Sequence, residues 1–262
     1  MRLGADETSF RKRHRYVTLV TDQEASRVLH VATGRGTASL EAYFETLSDE
    51  EREAVESIAM DMHRPYITAT ALHVPDAEDK IAFDKFHVIK LFTDGVDRVR
   101  RAENKALMAD GDRTLVGSKY VWLMNPANMK ASKKAHFAEL KGLALHVGRA
   151  CGTKEMAQRL WHYTTRRGAA RAWLGICDWL QRSQLAPTIQ VGRTIKHNLL
   201  GILNAVVHGG TNGAAEGINT KVQELKKRAH GYRNEVNFAA AIYFHLGGLD
   251  LYPRPLGAHT NR

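Results

Sequence analysis

The sequence predicts an α/β protein in which a small mixed sheet is combined with a large helical block. Short β-rich segments alternate with helical segments before Phe86. From Phe86 to about residue 203, apolar residues recur at three- and four-residue spacing instead, which is typical of helices. With 44% hydrophobic and 25% charged residues, the composition matches a folded domain and excludes a disordered or fibrous chain.

The N-terminal segments 3–7, 16–22 and 27–31 are predicted as three antiparallel strands. They are rich in β-branched and aromatic residues, and a polar turn at 22–26 separates the second from the third. The pair Gly34 and Gly36 follows. It lacks a third glycine and a preceding buried βα unit, so it predicts a turn rather than a phosphate-binding loop.

The remaining elements follow from periodicity and from capping residues. Thr37 can cap a helix with apolar residues at helical spacing, and Asn212 is a reasonable cap for a late helix with two stripes. The apolar stripe of this late helix contains Ile218, Val222, Leu225 and Ala229, and its polar stripe contains Glu216, Asn219, Thr220, Gln223 and Lys227. Asn125-Pro126 and Ala186-Pro187 are the expected breaks in the helical block. The other predicted elements are strands 55–60 and 80–83 and helices 64–73 and 235–245.

Positive charge is concentrated in the middle of the chain. The protein has 38 Lys and Arg against 28 Asp and Glu, a formal charge of +10, and residues 101–200 hold 17 of these basic residues but only six acidic ones. Such a segment favours a polyanionic partner such as nucleic acid, and a solvated helical face is the alternative.

The hydropathy of the chain and the spacing of its cysteines argue against a membrane protein, a zinc-stabilised protein and a disulfide-stabilised protein. No stretch is apolar enough to span a membrane and no signal peptide is recognisable, so we expect a cytoplasmic protein without a membrane partner. Cys151 and Cys177 belong to no Cys-x-x-Cys pair, so neither structural zinc nor a disulfide framework is expected.

Three acidic residues occupy positions where a metal site could form. Asp6 is on the first strand, Asp61 directly follows the strand 55–60, and Glu216 is in the first turns of a late helix, on its polar stripe. Converging carboxylates are suited to hard divalent cations such as Mg²⁺. Two such ions can serve an in-line phosphoryl displacement. Taken singly, each of these acids fits a helix cap or a surface residue better than a metal ligand.

Four stretches resemble the insertion-sequence transposases of the ISL-three family, which are DDE transposases. They are LGADETSFRKRHRYVTLVTD (3–22), AMDMHRPYI (59–67), IAFDKFHVIKL (81–91) and TNGAAEGINTKVQELKKRAHGYRNEVNF (211–238). The resemblance extends over nearly the whole chain.

This resemblance implies a ribonuclease-H-like catalytic domain with a helical insertion. Residues 1–87 and 206–262 would form the discontinuous catalytic domain, and residues 88–205 the basic all-helical insertion. By motif position Asp6, Asp61 and Glu216 would be the catalytic carboxylates and would hold two Mg²⁺ ions, which Mn²⁺ could replace. Asp84 and His87 look like the acid-x-x-His signature that follows the second acid, although they could also simply cap a helix.

The implied activity is DNA strand cleavage and strand transfer during transposition. Double-stranded DNA, both transposon ends and target, would be the partner, and a homodimer on DNA is expected because two ends must be joined. Basic residues of the insertion and of the late helix would hold the DNA backbone. The candidates are Arg98, Arg100, Arg101, Lys130, Lys133, Lys134, Arg166, Arg167, Arg171, Lys226, Lys227 and Arg228.

One departure from the family pattern leaves alternatives open. The family usually carries a cysteine-rich zinc module and a helix-turn-helix ahead of the catalytic domain, whereas Asp6 is almost at the start of this sequence. The expectation is therefore a catalytic domain without these end-reading modules. The alternatives are a truncated, non-catalytic DNA-binding remnant and a ribonuclease-H-like nuclease. The run at 11–15 is either a loop that contacts phosphates or a solvated loop.

Overall fold

The computed structural model describes residues 1–11, 15–143, 145–208 and 213–249, without the side chains of residues 213–216. Five strands and thirteen α-helices lie within these ranges. The strands are β1 (Arg2–Arg11), β2 (Arg15–Asp22), β3 (Arg27–Thr33), β4 (Ser57–Met60) and β5 (Ile81–Phe83). The helices are α1 (Thr37–Phe44), α2 (Asp49–Glu53), α3 (Arg64–His73), α4 (Ala77–Lys80), α5 (Lys85–Ala109), α6 (Lys119–Leu123), α7 (Ala131–Gly142), α8 (His146–Arg159), α9 (Arg166–Arg182), α10 (Ala186–His197), α11 (Leu199–Val207), α12 (Gly213–Arg228) and α13 (Glu235–Leu246). Short 3₁₀ turns cover Pro126–Asn128 and Leu160–His162.

The strands form one mixed sheet in the order β3-β2-β1-β4-β5, which confirms the predicted α/β class. β1 and β2 are antiparallel with Asp6 opposite Leu19, and β2 and β3 are antiparallel with Leu19 opposite Val31. The chain start joins β1 to the next strand: the Met1 amine donates to the Ala54 carbonyl (3.0 Å), and Glu56 N–H donates to the Met1 carbonyl (2.9 Å). This pattern, in which one residue bonds to both neighbours of its partner, is that of parallel strands.

The described residues form two compact units. The first contains Met1–Ile58, His63–Pro75 and the described residues after 212, and the second contains Ala59–Met62 and residues 76–208. The boundary runs through β4. No helix in the described ranges has the length and apolar character needed to cross a bilayer.

The core of the first unit lies between the antiparallel strands and the last two helices. In this core the sheet packs against both helices. The sheet contributes Val17, Leu19 and Val28, α12 contributes Ile218 and Val222, and α13 contributes Phe238 and Ile242. Ile218 and Val222 belong to the apolar stripe predicted for this helix, and both are buried. Burial of this stripe fixes which side of α12 faces the sheet.

The second unit is built around the long helix α5. Val96 and Val99 of α5 pack with Trp122 of α6 and with Val147 and Ala150 of α8. Of the described side chains that are fully buried, Trp122 is among the largest. Burial of the apolar side chains of this cluster, Trp122 among them, is the main source of this unit's stability.

A buried lysine connects two helices of this core. Lys154 is 1% exposed, and its Nζ donates to the carbonyls of Trp122 (2.7 Å), Met124 (3.3 Å) and Leu123 (3.4 Å) at the end of α6. Burial lowers the pKa of Lys154. The three carbonyls satisfy the ammonium donors, so Lys154 acts as a C-terminal cap for α6.

Candidate active site

Asp6 lies in the middle of β1, and its carboxylate is held from two sides. Its Oδ1 accepts a hydrogen bond from Glu7 N–H (2.7 Å), and its Oδ2 accepts one from the Asn219 side-chain amide (2.5 Å). The Asn219 bond links residues 213 positions apart in the sequence. The carboxylate is therefore fixed in direction by a donor on α12.

Helix α12 lies along β1 and contacts it through further polar side chains. Gln223 donates to the Thr8 hydroxyl (2.5 Å), and the Lys226 ammonium donates to the Ser9 carbonyl (2.7 Å). Asn219 and Gln223 belong to the predicted polar stripe, and both side chains contact β1. Glu216 is three residues before Asn219 in the same helix, and its side chain lies outside the described residues.

Glu7, next to Asp6, points to another part of the first unit. The Arg35 guanidinium lies 3.4 Å from Glu7 Oε1, and it also lies over the Tyr16 ring (4.5 Å). Within the described residues, Glu7 Oε2 is buried and has no hydrogen-bond partner. Because side chains alternate along a strand, Glu7 does not share the surroundings of Asp6.

Asp61 and Asp84 follow the ends of neighbouring strands in the second unit. Asp84 N–H donates to the carbonyl of Met60, the residue before Asp61 (2.9 Å). Asp84 is 8% exposed, and its Oδ1 caps α5 by accepting from Phe86 N–H (2.8 Å). His87 Nε2 lies 3.9 Å from Asp84 Oδ2. The capping role considered for Asp84 is therefore present in the structure.

The chemistry of the donors around Asp6 fits a hard divalent cation. A carboxylate and an amide oxygen are ligand types that Mg²⁺ accepts, directly or through its waters. Asn219 Oδ1 is buried and, within the described ranges, has no hydrogen-bond partner, so it is an acceptor that water bound to a cation would satisfy. Across the described side chains, which exclude that of Glu216, no three acidic, His or Cys groups are clustered closely enough to form a metal site.

The predicted DNA-binding residues lie on four helices, except for one lysine that immediately precedes a helix. Arg98, Arg100 and Arg101 are on α5, Lys130 precedes α7, Lys133 and Lys134 are on α7, Arg166, Arg167 and Arg171 are on α9, and Lys226, Lys227 and Arg228 end α12. Most are exposed; Arg100 and Lys226 are half-buried. Arg100 and Arg101 both pair with Asp97 (2.9 and 3.2 Å), so part of their charge is neutralised locally.

Both cysteines are buried, and burial raises the pKa of each thiol, that of Cys177 to about 11. A thiol is a nucleophile only as its thiolate, so neither cysteine is suited to catalysis at neutral pH. His63 is tied to the first unit, because its Nε2 lies 2.8 Å from the Arg35 carbonyl and its ring meets that of Tyr66 edge-on at 5.0 Å.

Comparison with known proteins gives the family. The sequence-family model for the ISL-three group of DDE proteins, which is described as "Transposase", matches residues 3–242 of this chain. The chain belongs to the ISL-three family of DDE transposases. The resemblance noted in the sequence is thus confirmed over most of the chain.

Two curated relatives of this chain are transposases for insertion sequence elements. The transposase for insertion sequence element IS1001 of Bordetella parapertussis is 30% identical over 243 residues, which cover 92% of this chain and 59% of the relative. The transposase for IS1557 of Mycobacterium tuberculosis is 26% identical over 272 residues, 94% of this chain and 60% of the relative. The chain therefore spans about 60% of the length of these relatives. No solved structure matches it significantly.

Asn219 and Gln223 are site residues that sequence reasoning assigned only to a polar stripe. Their signal was spacing, since positions 216, 219 and 223 recur on one helical face. What the sequence could not give was the partner strand, because Asp6 and Thr8 lie more than 200 residues away.

Proposed function

We propose that this chain is the catalytic part of an insertion-sequence transposase that cleaves DNA strands and transfers them to a target. Membership in the transposase family supports transposition and DNA recombination as the context. The observation that carries the catalytic assignment is the Asp6 carboxylate, held by Asn219 of the helix that also contains Glu216. In this proposal residues 1–87 and 206–262 are a ribonuclease-H-like domain and residues 88–205 an all-helical insertion.

In this proposal Asp6, Asp61 and Glu216 hold Mg²⁺. When bound, the metal supplies charge that activates the attacking oxygen and stabilises the leaving oxygen of an in-line displacement. Asn219 keeps the Asp6 carboxylate in one orientation, because its amide N–H is already directed at Oδ2. Asp84 caps α5 and so sets the start of the helix that carries His87, whose role at this strand end is support.

Each proposed reaction breaks one P–O bond and forms another, without a covalent bond to the protein. In cleavage, water attacks the phosphodiester and loses a proton, its oxygen stays on the 5′-phosphate, and the P–O3′ bond breaks. The departing 3′-oxygen takes up a proton and becomes a 3′-hydroxyl. In strand transfer, that hydroxyl attacks a phosphodiester of target DNA, and the departing 3′-oxygen of the target takes up a proton. The exposed lysines and arginines of α5, α7 and α9 hold the backbone by charge. Two such chains would act together, since a transposon has two ends.

The test is nicking of supercoiled plasmid by the purified chain. We expect nicked product with Mg²⁺, none with a chelator, and a loss of at least about 100-fold in rate for Asp61→Asn, because a metal-bound carboxylate is removed. The matched control is Asp110→Asn, which changes an exposed aspartate at the end of α5 and should leave the rate unchanged.

Two outcomes would reject the proposed activity of DNA strand cleavage and strand transfer. Binding of DNA without any metal-dependent nicking would indicate a non-catalytic remnant. Nicking without strand transfer, when cleaved ends and target DNA are both supplied, would indicate a nuclease instead.

A further inference from the structure

A cationic cavity lies at the end of β1. It has a volume of about 510 Å³ and is lined by Phe10, Arg11, Lys226, His230, Gly231, Tyr232 and Arg233. These residues come from β1, from α12 and from the loop between α12 and α13, all in the first unit. The lining includes three permanent cations and no acidic side chain.

The cations of this cavity are largely available to a ligand. Arg11, His230 and Arg233 are exposed. Among the described residues, none of Arg11, Lys226 and Arg233 forms an ion pair, and Glu235, which follows the loop, is paired with Arg15 (3.7 Å). Because no carboxylate neutralises these charges, the cavity attracts anions.

Arg11 is held in a fixed position while keeping donors free for a ligand. Its Nη2 donates to the carbonyls of Arg233 (2.7 Å) and Tyr232 (3.0 Å), and its guanidinium lies over the Phe10 ring (5.2 Å). The N–H groups on Nε and Nη1 take no part in these bonds. A guanidinium fixed in this way can still donate single hydrogen bonds from Nε and Nη1 to phosphate oxygens.

We propose that this cavity binds the phosphodiester backbone of a DNA strand, apart from the carboxylates that would cleave it. The inference rests on the proposed function, which makes DNA the substrate. The volume exceeds that of one phosphate group and lies in the range of ligand pockets, so it accommodates a sugar together with its phosphates. The half-buried Tyr232 ring adds an aromatic surface for a sugar or a base.

The experiment measures binding of a short fluorescein-labelled DNA duplex by anisotropy across a series of KCl concentrations. Arg233→Gln is the main variant, because this side chain has no hydrogen bond or ion pair within the described ranges whose loss would disturb the fold. We expect three- to tenfold weaker binding at low salt, and a slope of log affinity against log salt that is smaller by about 1, as for loss of one phosphate contact. Arg233→Lys keeps the charge and should restore the slope.

Two controls accompany this experiment. One tests whether loss of any exposed positive charge weakens DNA binding, and the other tests whether a free anion replaces DNA. Arg113→Gln removes an exposed arginine of the second unit and should bind DNA like the unmodified protein. Unchanged affinity and slope in Arg233→Gln would overturn the proposal, even if Arg11→Gln bound more weakly. So would complete displacement of DNA by inorganic phosphate at constant ionic strength.

The proposed function can fail independently of the cavity. If the unmodified chain binds DNA but does not nick it, the catalytic assignment is wrong while the effect of Arg233→Gln on binding still decides the cavity. If Asp6→Asn abolishes nicking but Arg233→Gln has no effect on binding, the catalytic assignment stands and the cavity proposal is wrong.

Discussion

Asn219 is a residue whose importance appears only when the chain is folded. It is not a carboxylate and belongs to no metal-binding motif, yet its amide is the donor that orients Asp6. Its other amide atom, Oδ1, is buried without a hydrogen bond from the described residues. An unsatisfied buried acceptor costs free energy, so its presence beside a carboxylate is consistent with a bound, hydrated cation.

We predict that Asn219→Ala raises the Mg²⁺ concentration needed for half-maximal nicking by about 10- to 100-fold, since residues that orient a metal ligand commonly have effects of this size. The same shift should appear in the Mg²⁺ dependence of the thermal melting temperature, a measurement that needs no turnover. Asn128→Ala, at an exposed asparagine, is the control. An unchanged Mg²⁺ requirement in Asn219→Ala would show that Asn219 does not act on the site.

Cys177 gives a prediction for alkaline pH. Its pKa is raised by burial from 9.0 to about 11, so between these values the unfolded chain releases a proton that the folded chain keeps. The thiol's contribution to stability is therefore complete below pH 9 and is lost as the pH rises to 11. It is on the order of 2–3 kcal/mol, since a tenfold change in proton affinity corresponds to about 1.4 kcal/mol.

Denaturant unfolding of the unmodified protein and of Cys177→Ala, measured from pH 8 to about 11, tests this contribution. The difference between their free energies of unfolding should shrink as the pH rises. Two curves that stay parallel throughout would show that the thiol titrates alike in the folded and unfolded chains.

At the scale of elements, strong local patterns predicted the structure well. The helix predicted at 64–73 occurs as α3 at Arg64–His73, and the predicted break before Pro187 is where α10 begins. The strand expected at 55–60 is shorter, Ser57–Met60, and the four-residue helix α4 was missed because it is too short to show a period. The described part of the helical block divides into seven α-helices, which periodicity alone did not separate.

Helix α11 packs unusually closely on β5 at Gly201. A Cβ atom there would lie 2.5 Å from the Phe83 ring. We predict that Gly201→Ala lowers the free energy of unfolding by about 1–3 kcal/mol, because the cost of overpacking outweighs the better helix propensity of alanine.

Gly175→Ala in α9 is the matched control, since a Cβ there meets nothing within 4 Å. Helix propensity alone should make that variant more stable by up to about 1 kcal/mol. Both values come from denaturant unfolding. Equal effects of the two substitutions would mean that α11 is not closely packed on β5.

At the scale of the whole molecule, the excess of basic residues and the three candidate carboxylates could each be recognised in the sequence. Their arrangement in space could not. The count of basic residues indicated a polyanion, and the resemblance of four stretches of the sequence indicated the family, which the comparisons confirm. The contact between α12 and β1 could not be predicted, because it joins the two ends of the chain across the helical block. The run at 11–15 offered Arg11 as a possible phosphate contact, but that Arg233 lines the same cavity could not be predicted, for the same reason.

The most direct test of the central claim compares nicking and DNA affinity for Asp6→Asn, Asp61→Asn and Glu216→Gln, with Glu139→Gln, at an exposed glutamate, as the control. We predict that each of the three variants binds the labelled duplex like the unmodified chain but loses Mg²⁺-dependent nicking, while the control keeps both. Mg²⁺-dependent nicking that persists in any one of the three would contradict the assignment of these carboxylates as the catalytic site.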